Sequence, residues 1–159
     1  MVNSIHVEIV CPVCGGVGMV EINGYGDVCP ECDYQKTVFS KLHVLKTWSN
    51  FFQAIKSGTK THELRQDDRN FKVGDVLCLV ETFPDEENNG YDLHGNYLGE
   101  KLFLLVIYKL THMDFSPVPI GWCDLSIKPL DKRSIHMIER IKFHFGSQNE
   151  TGFSRPVFS

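Results

Sequence analysis

A chain of 159 residues, 42% of them hydrophobic, is one ordinary domain or one domain with a small appendage, and can bury a real core. No run approaches the roughly 18 apolar residues of a membrane span, and Met1–His6 shows neither the basic nor the apolar part of a secretory signal, so a cytoplasmic protein is expected. Of 20 acids and 16 bases, residues 1–40 hold five acids and one base, which leaves 15 of each for the rest; that balance speaks against gripping a long duplex through bulk positive charge.

In chain order, Ile5 to Val10 reads as a strand, followed by Cys11-Pro-Val-Cys14 turning into Gly15-Gly16-Val17-Gly18. Met19 to Ile22 is strand-like, and Asn23 to Asp27 is a strong turn signal before a second knuckle, Cys29-Pro-Glu-Cys32. Val44 to Lys46 predicts a short strand. Thr47 is placed to cap a helix over Trp48 to Lys56, with Trp48, Phe51, Phe52 and Ile55 on one face and Gly58 as the left-handed stop. Thr61 to Arg65 predicts a strand, Gln66 to Asn70 a loop, and Val76 to Phe83 the strongest strand. Pro84 to Gly99 reads as a long polar loop. Lys101 to Leu110 is apolar enough to be covered on both faces. A further strand is expected around Gly121 to Ile127, a helix over 131–145, and a loose tail from Gly146.

The first chemical motif is C-x2-C, fourteen residues, C-x2-C. A two-residue gap lets both sulfurs of a knuckle reach one ion, and in a reducing compartment such pairs point to metal rather than disulfides. Four cysteine ligands leave no open position for water, so one structural Zn2+ per chain is expected on Cys11, Cys14, Cys29 and Cys32. Few apolar side chains accompany them, and the metal is expected to hold this piece together. Cys11 to Gly18 also resembles one C-x-x-C-x-G-x-G unit of the DnaJ-type chaperone zinc region. Asp33-Tyr34-Gln35 departs from the pattern after the second knuckle, so chaperone function is not implied.

The second motif is Gly58-Thr-Lys60-Thr-His-Glu63-Leu-Arg65. On a strand, Thr61, Glu63 and Arg65 share one face and His62 and Leu64 the other. A carboxylate and a guanidinium side by side, near Lys60 at the turn, suit the hydrogen-bonding edge of a base or a phosphate; a solvated strand with surface ion pairs is the alternative. Residues from about His43 to Lys128 resemble the ASCH superfamily, related to the PUA RNA-binding fold, through that G-x-K-x-x-E-x-R pattern. Asp68-Arg69-Asn70-Phe71-Lys72-Val73-Gly74-Asp75 is similar to a stretch of an uncharacterised ASCH-like family frequent in phage genomes. The resemblance implies an α+β fold: a small β-barrel with attached helices, its cavity lined by Lys60, Glu63 and Arg65, with Lys46 and Arg69 as outer contacts.

The organisation expected is a zinc-ribbon-like module over 1–40, the ASCH/PUA-like domain over 41–130 and an extension over 131–159. The leading expectation is a protein that binds RNA or a modified nucleoside, with no membrane partner. A second is an amidohydrolase of N-acylated cytidine using Lys60, as in some compact relatives; Glu63 stands where their threonine would be, which removes the expected hydroxyl. A third is an interaction protein of phage type, docking a protein partner through residues 1–40 in a host cytoplasm. The six histidines from His43 to His144 show no ligand spacing, and Cys78 and Cys123 are expected to be buried. Glu81, closing its strand, is either a rim carboxylate or one pointing into the barrel mouth.

Overall fold

In the computed structural model, which describes residues 5–22, 24–82 and 99–140, the chain forms β1 (Ile5–Val10), β2 (Met19–Ile22), β3 (Tyr25–Val28), β4 (Thr37–Trp48), α1 (Ser49–Lys56), β5 (His62–Gln66), β6 (Val76–Thr82), β7 (Lys101–Thr111), β8 (Trp122–Pro129) and α2 (Lys132–Arg140). Six strands make one mixed sheet in the order β1-β4-β6-β7-β8-β5, while β2 and β3 pair as a separate ribbon. Only β4 and β6 run parallel; every other pair in the large sheet is antiparallel. The fold is therefore β-rich α+β.

The central strand β6 is buried at every position. Its alternation feeds two cores: Leu77 and Leu79 pack with Phe52, Ile55, Phe71 and Leu125 under α1, while Val76, Cys78 and Val80 pack with Val7, Ile9 and Ile138 under α2. Burial on both faces explains its nearly continuous apolar run. Cys78 and Cys123 are fully buried, as expected.

No ladder closes the described strands into the barrel that the resemblance implied. The sheet curls instead, and side chains join its edges. Beyond Leu42, the last β4 residue paired with β1, the Val44 carbonyl accepts from Arg69 Nη1 at 2.9 Å. The Lys46 carbonyl accepts from Arg65 Nη2 at 2.7 Å. Arg65 lies on β5, at the far end of the strand order, so this bond brings the two edges of the curl together.

Several local expectations are corrected. Residues 44–46 belong to a twelve-residue strand that runs unbroken across residues 40 and 41. Thr47 does not cap α1; Trp48 stands at the cap without a side-chain bond, because the Thr47 hydroxyl is buried within the sheet and engaged by Arg65. An eight-residue helix buries only Phe52 and Ile55, leaving Trp48 and Phe51 about half exposed. The Asn23–Asp27 turn is shorter than expected, since Tyr25–Val28 already forms β3. In β7 a bulge between Val106 and Tyr108 shifts the register, and Ile107 and Tyr108 emerge into solvent rather than being covered. The expected loop over 84–99 lies mostly outside the described residues, as do the helix beyond Arg140 and the tail.

Candidate functional site: a four-cysteine cluster and a Lys-Glu-Arg cluster

The cysteine-bearing segment is an elaborated connection between two adjacent antiparallel strands. Cys11 follows directly on β1, and its amide donates to the Lys36 carbonyl at 2.9 Å just before β4 begins. Gly16 and Gly18 have φ of +80° and +87°. A Cβ on Gly16 would sit 2.8 Å from Val10 Cγ1, and one on Gly18 would press on the Tyr34 backbone at 3.3 Å. Both positions thus need glycine for conformation and for space. The second knuckle ends in Asp33 and Tyr34, both in the left-handed region.

All four sulfurs lie within 4.8 Å of one another, with Cys11–Cys29 at 3.8 Å and Cys14–Cys32 at 3.6 Å. A tetrahedron with metal–sulfur bonds of about 2.3 Å has edges of about 3.8 Å, whereas a disulfide would bring the sulfurs to about 2 Å. The cysteines are free thiols in an arrangement that could hold one metal ion. Burial pushes the Cys11 thiol up and takes Cys32 up to about 12, whereas the Gly18 amide, donating to the Cys14 sulfur at 3.3 Å, helps to bring that thiol down to about 6 against its own burial. Such a thiolate suits a metal ligand.

The second cluster forms where β5 meets the end of β4 and α1. Glu63 is buried, its side chain 8% exposed. Lys60 Nζ lies 2.9 Å from Glu63 Oε2, and Arg65 Nε donates to Oε1 at 2.9 Å. Strand alternation puts Glu63 and Arg65 on one face, and the turn after Gly58 (φ +78°) delivers Lys60 to the same carboxylate. Lys60 also donates to the His62 carbonyl and lies 6.0 Å from the Phe51 ring centre. Arg65 Nη2 reaches the Lys46 carbonyl and Thr47 Oγ1, the latter at 3.1 Å.

The three expected pocket residues converge. The two outer residues join differently: Lys46 contributes its carbonyl, and the Arg69 guanidinium turns to the Val44 carbonyl. The trio carries two cations against one carboxylate. These bonds use two of the three Lys60 ammonium protons and three of the five Arg65 N–H groups, leaving three donors without a partner among the described residues.

Sequence reasoning gave Thr47 only a capping role and left Glu81 open between a rim carboxylate and one pointing into the barrel mouth. Thr47 stands opposite Glu81 in the parallel register of β4 and β6. Glu81 is buried and accepts from Ser49 Oγ at 2.7 Å and Gln53 Nε2 at 2.8 Å. A glutamate directly after the apolar run Val76–Val80, still within the strand, was the available signal. His43, one of the scattered histidines, is a core residue: it bonds Asp75 Oδ2 at 2.8 Å and packs its ring against Phe71.

Comparison with known proteins adds one finding. Residues 42–127 match a family described as a domain of unknown function, DUF3850. No curated protein matches the chain. The match spans more than half the chain and contains the whole Lys60-Glu63-Arg65 cluster, while the four cysteines lie before it. The chain belongs to the DUF3850 family.

Proposed function

We propose that this protein binds RNA or a modified nucleoside through Lys60, Glu63 and Arg65, on an ASCH/PUA-like domain preceded by a zinc-bound module. The observation that carries the reading is the buried Glu63 carboxylate held between two cations. Three donors remain around one fixed acceptor, and a nucleobase edge or a phosphate offers matching groups. A surface ion pair would not bury its carboxylate to this extent. Lys46 adds its carbonyl to the cluster's edge, and Arg69 braces the same edge through the Val44 carbonyl.

The metal we assign is zinc. Four thiolates at tetrahedral spacing form a closed structural site, and Cys11, Cys14, Cys29 and Cys32 would hold the ion with no position for a reacting water. Its contribution is to fix the two knuckles, whose segment has little apolar core of its own.

The test is a binding panel of single-stranded RNAs and modified nucleosides against wild type, Glu63→Gln and Arg65→Lys. Glu63→Gln keeps the shape and removes the charge; Arg65→Lys keeps the charge and removes the fork. Each is expected to weaken binding about tenfold or more. Unchanged affinity in both variants refutes the reading. Release of the acyl group from an N-acylated cytidine in the same incubations would replace it with the amidohydrolase reading.

A further inference from the structure

A cavity of about 340 Å³ opens away from the Lys-Glu-Arg cluster, where the cysteine segment meets the large sheet. Its walls come from three parts of the chain: β1 and β4 supply His6, Phe39 and Lys41, the second knuckle supplies Glu31, and the loop before β6 supplies Asn70 and Lys72. The volume is within the range of small-molecule sites, roughly 300–1,000 Å³.

The chemistry of the walls is specific. Phe39 is 77% exposed, beside the buried Ser40, and it makes no ring contact among the described residues. In the β1–β4 register Phe39 stands opposite Glu8, and Lys41 opposite His6; Phe39 and Lys41 therefore point to one face, two residues apart. Lys41 spends one ammonium proton on the Arg69 carbonyl at 3.1 Å. The Lys72 ammonium has no bonded partner among the described residues. The Asp75 carboxylate on the floor is already engaged by His43 and by the Lys72 amide. The lining thus combines an aromatic ring and two lysines with Glu31 and Asn70 as further hydrogen-bonding groups.

We infer that this cavity is a second nucleotide subsite, which stacks a base on Phe39 and holds its phosphate between Lys41 and Lys72. Aromatic stacking combined with lysine–phosphate contact is how single strands are bound without a duplex groove. The ligand class rests on the RNA reading above. Lys41 and Thr47 stand on one face of β4, about 20 Å apart by strand rise, and Thr47 is bonded to Arg65 of the first cluster. The charged surroundings of Phe39 disfavour an apolar peptide as the occupant.

The test measures binding of a short fluorescein-labelled single-stranded RNA of mixed sequence, over a range of salt, to four full-length proteins: wild type, Phe39→Ala, the double variant Lys41→Gln/Lys72→Gln, and Glu63→Gln. Phe39→Ala is expected to weaken binding roughly fivefold or more. The double variant is expected to lower the salt slope by about 0.7, the share of the one phosphate that the two lysines hold. Melting temperatures confirm that these exposed substitutions leave the fold in place. Loss with Phe39→Ala but not with Glu63→Gln supports the subsite and sinks the Lys-Glu-Arg reading. Loss with Glu63→Gln alone, with the Phe39 and lysine variants binding as wild type, overturns the subsite. A wild-type protein that binds no single-stranded RNA overturns it as well.

Discussion

Replacing Arg65 by alanine tests whether one guanidinium holds the curled sheet together. Arg65 makes three bonds, to Glu63 Oε1 at 2.9 Å, the Lys46 carbonyl at 2.7 Å and Thr47 Oγ1 at 3.1 Å, with its own side chain 26% exposed. The Glu63 bond is charge-assisted and its acceptor is buried, so its loss costs about 1.5–3 kcal/mol. The Lys46 bond is exposed, and water replaces much of it, which adds only a few tenths of a kcal/mol. The sum is about 2–3 kcal/mol, or about 4–12 °C in melting temperature for a chain of this size. Arg65→Lys recovers about half, since the ammonium still faces Glu63 but has no fork to reach β4. Urea unfolding followed by two probes gives the difference, with the m-value unchanged. A loss below about 0.5 kcal/mol would show an ordinary surface pair and no brace across the curl.

Phe52→Ala removes a fully buried ring from the core under α1 and is expected to cost about 3–5 kcal/mol; Phe51→Ala, on the half-exposed side, should cost less than about 1 kcal/mol, and equal costs in urea would contradict the observed helix face. Metal analysis is expected to give one zinc per chain, and Cys11→Ser to abolish it while β1, paired with β4 and covered by α2, keeps its hydrogen-exchange protection; retention of zinc by the variant would refute the ligand set. Asp131 accepts from the Ser134 hydroxyl at 2.6 Å and from the amides of Arg133 and Ser134; burial opposes its ionisation, but these bonds hold its carboxyl below the usual range. Its stabilisation is therefore present above the unfolded value of about 3.9 and lost as pH falls through the lower folded value. Asp131→Asn should accordingly flatten part of the stability loss in strong acid, and an unchanged acid limb would show that the cap is not ionised.

The cysteine cluster was legible because its information is local: two short gaps and the glycines around them fix where the sulfurs go. The shared face of Glu63 and Arg65 was legible for the same reason, through strand alternation. What completes that site was not. The Lys46 carbonyl and the Thr47 hydroxyl reach Arg65 from nineteen and eighteen residues away, a relation set by the curl of the sheet and written in no local pattern. Thr47 illustrates the conflict directly. A threonine before an apolar run is a sound capping signal, but burial beside Arg65 claims its hydroxyl. Phe51 and Trp48 were placed in the core by helical spacing, whereas an eight-residue helix lying on a sheet has room to bury only the i, i+3 pair Phe52 and Ile55. The barrel expectation identified the right strands and missed how their edges meet, since arginine-to-carbonyl bonds stand where a ladder was expected.

The most direct test of the binding claim observes the cluster itself. Side-chain nitrogen resonances of Lys60 and Arg65 can be followed by NMR as a modified nucleoside or short single-stranded RNA is added to the zinc-loaded protein. If these groups contact the ligand, the Arg65 Nη and Lys60 Nζ signals shift in step with binding, and Glu63→Gln abolishes the shift. Binding that saturates while both signals stay still would contradict the account.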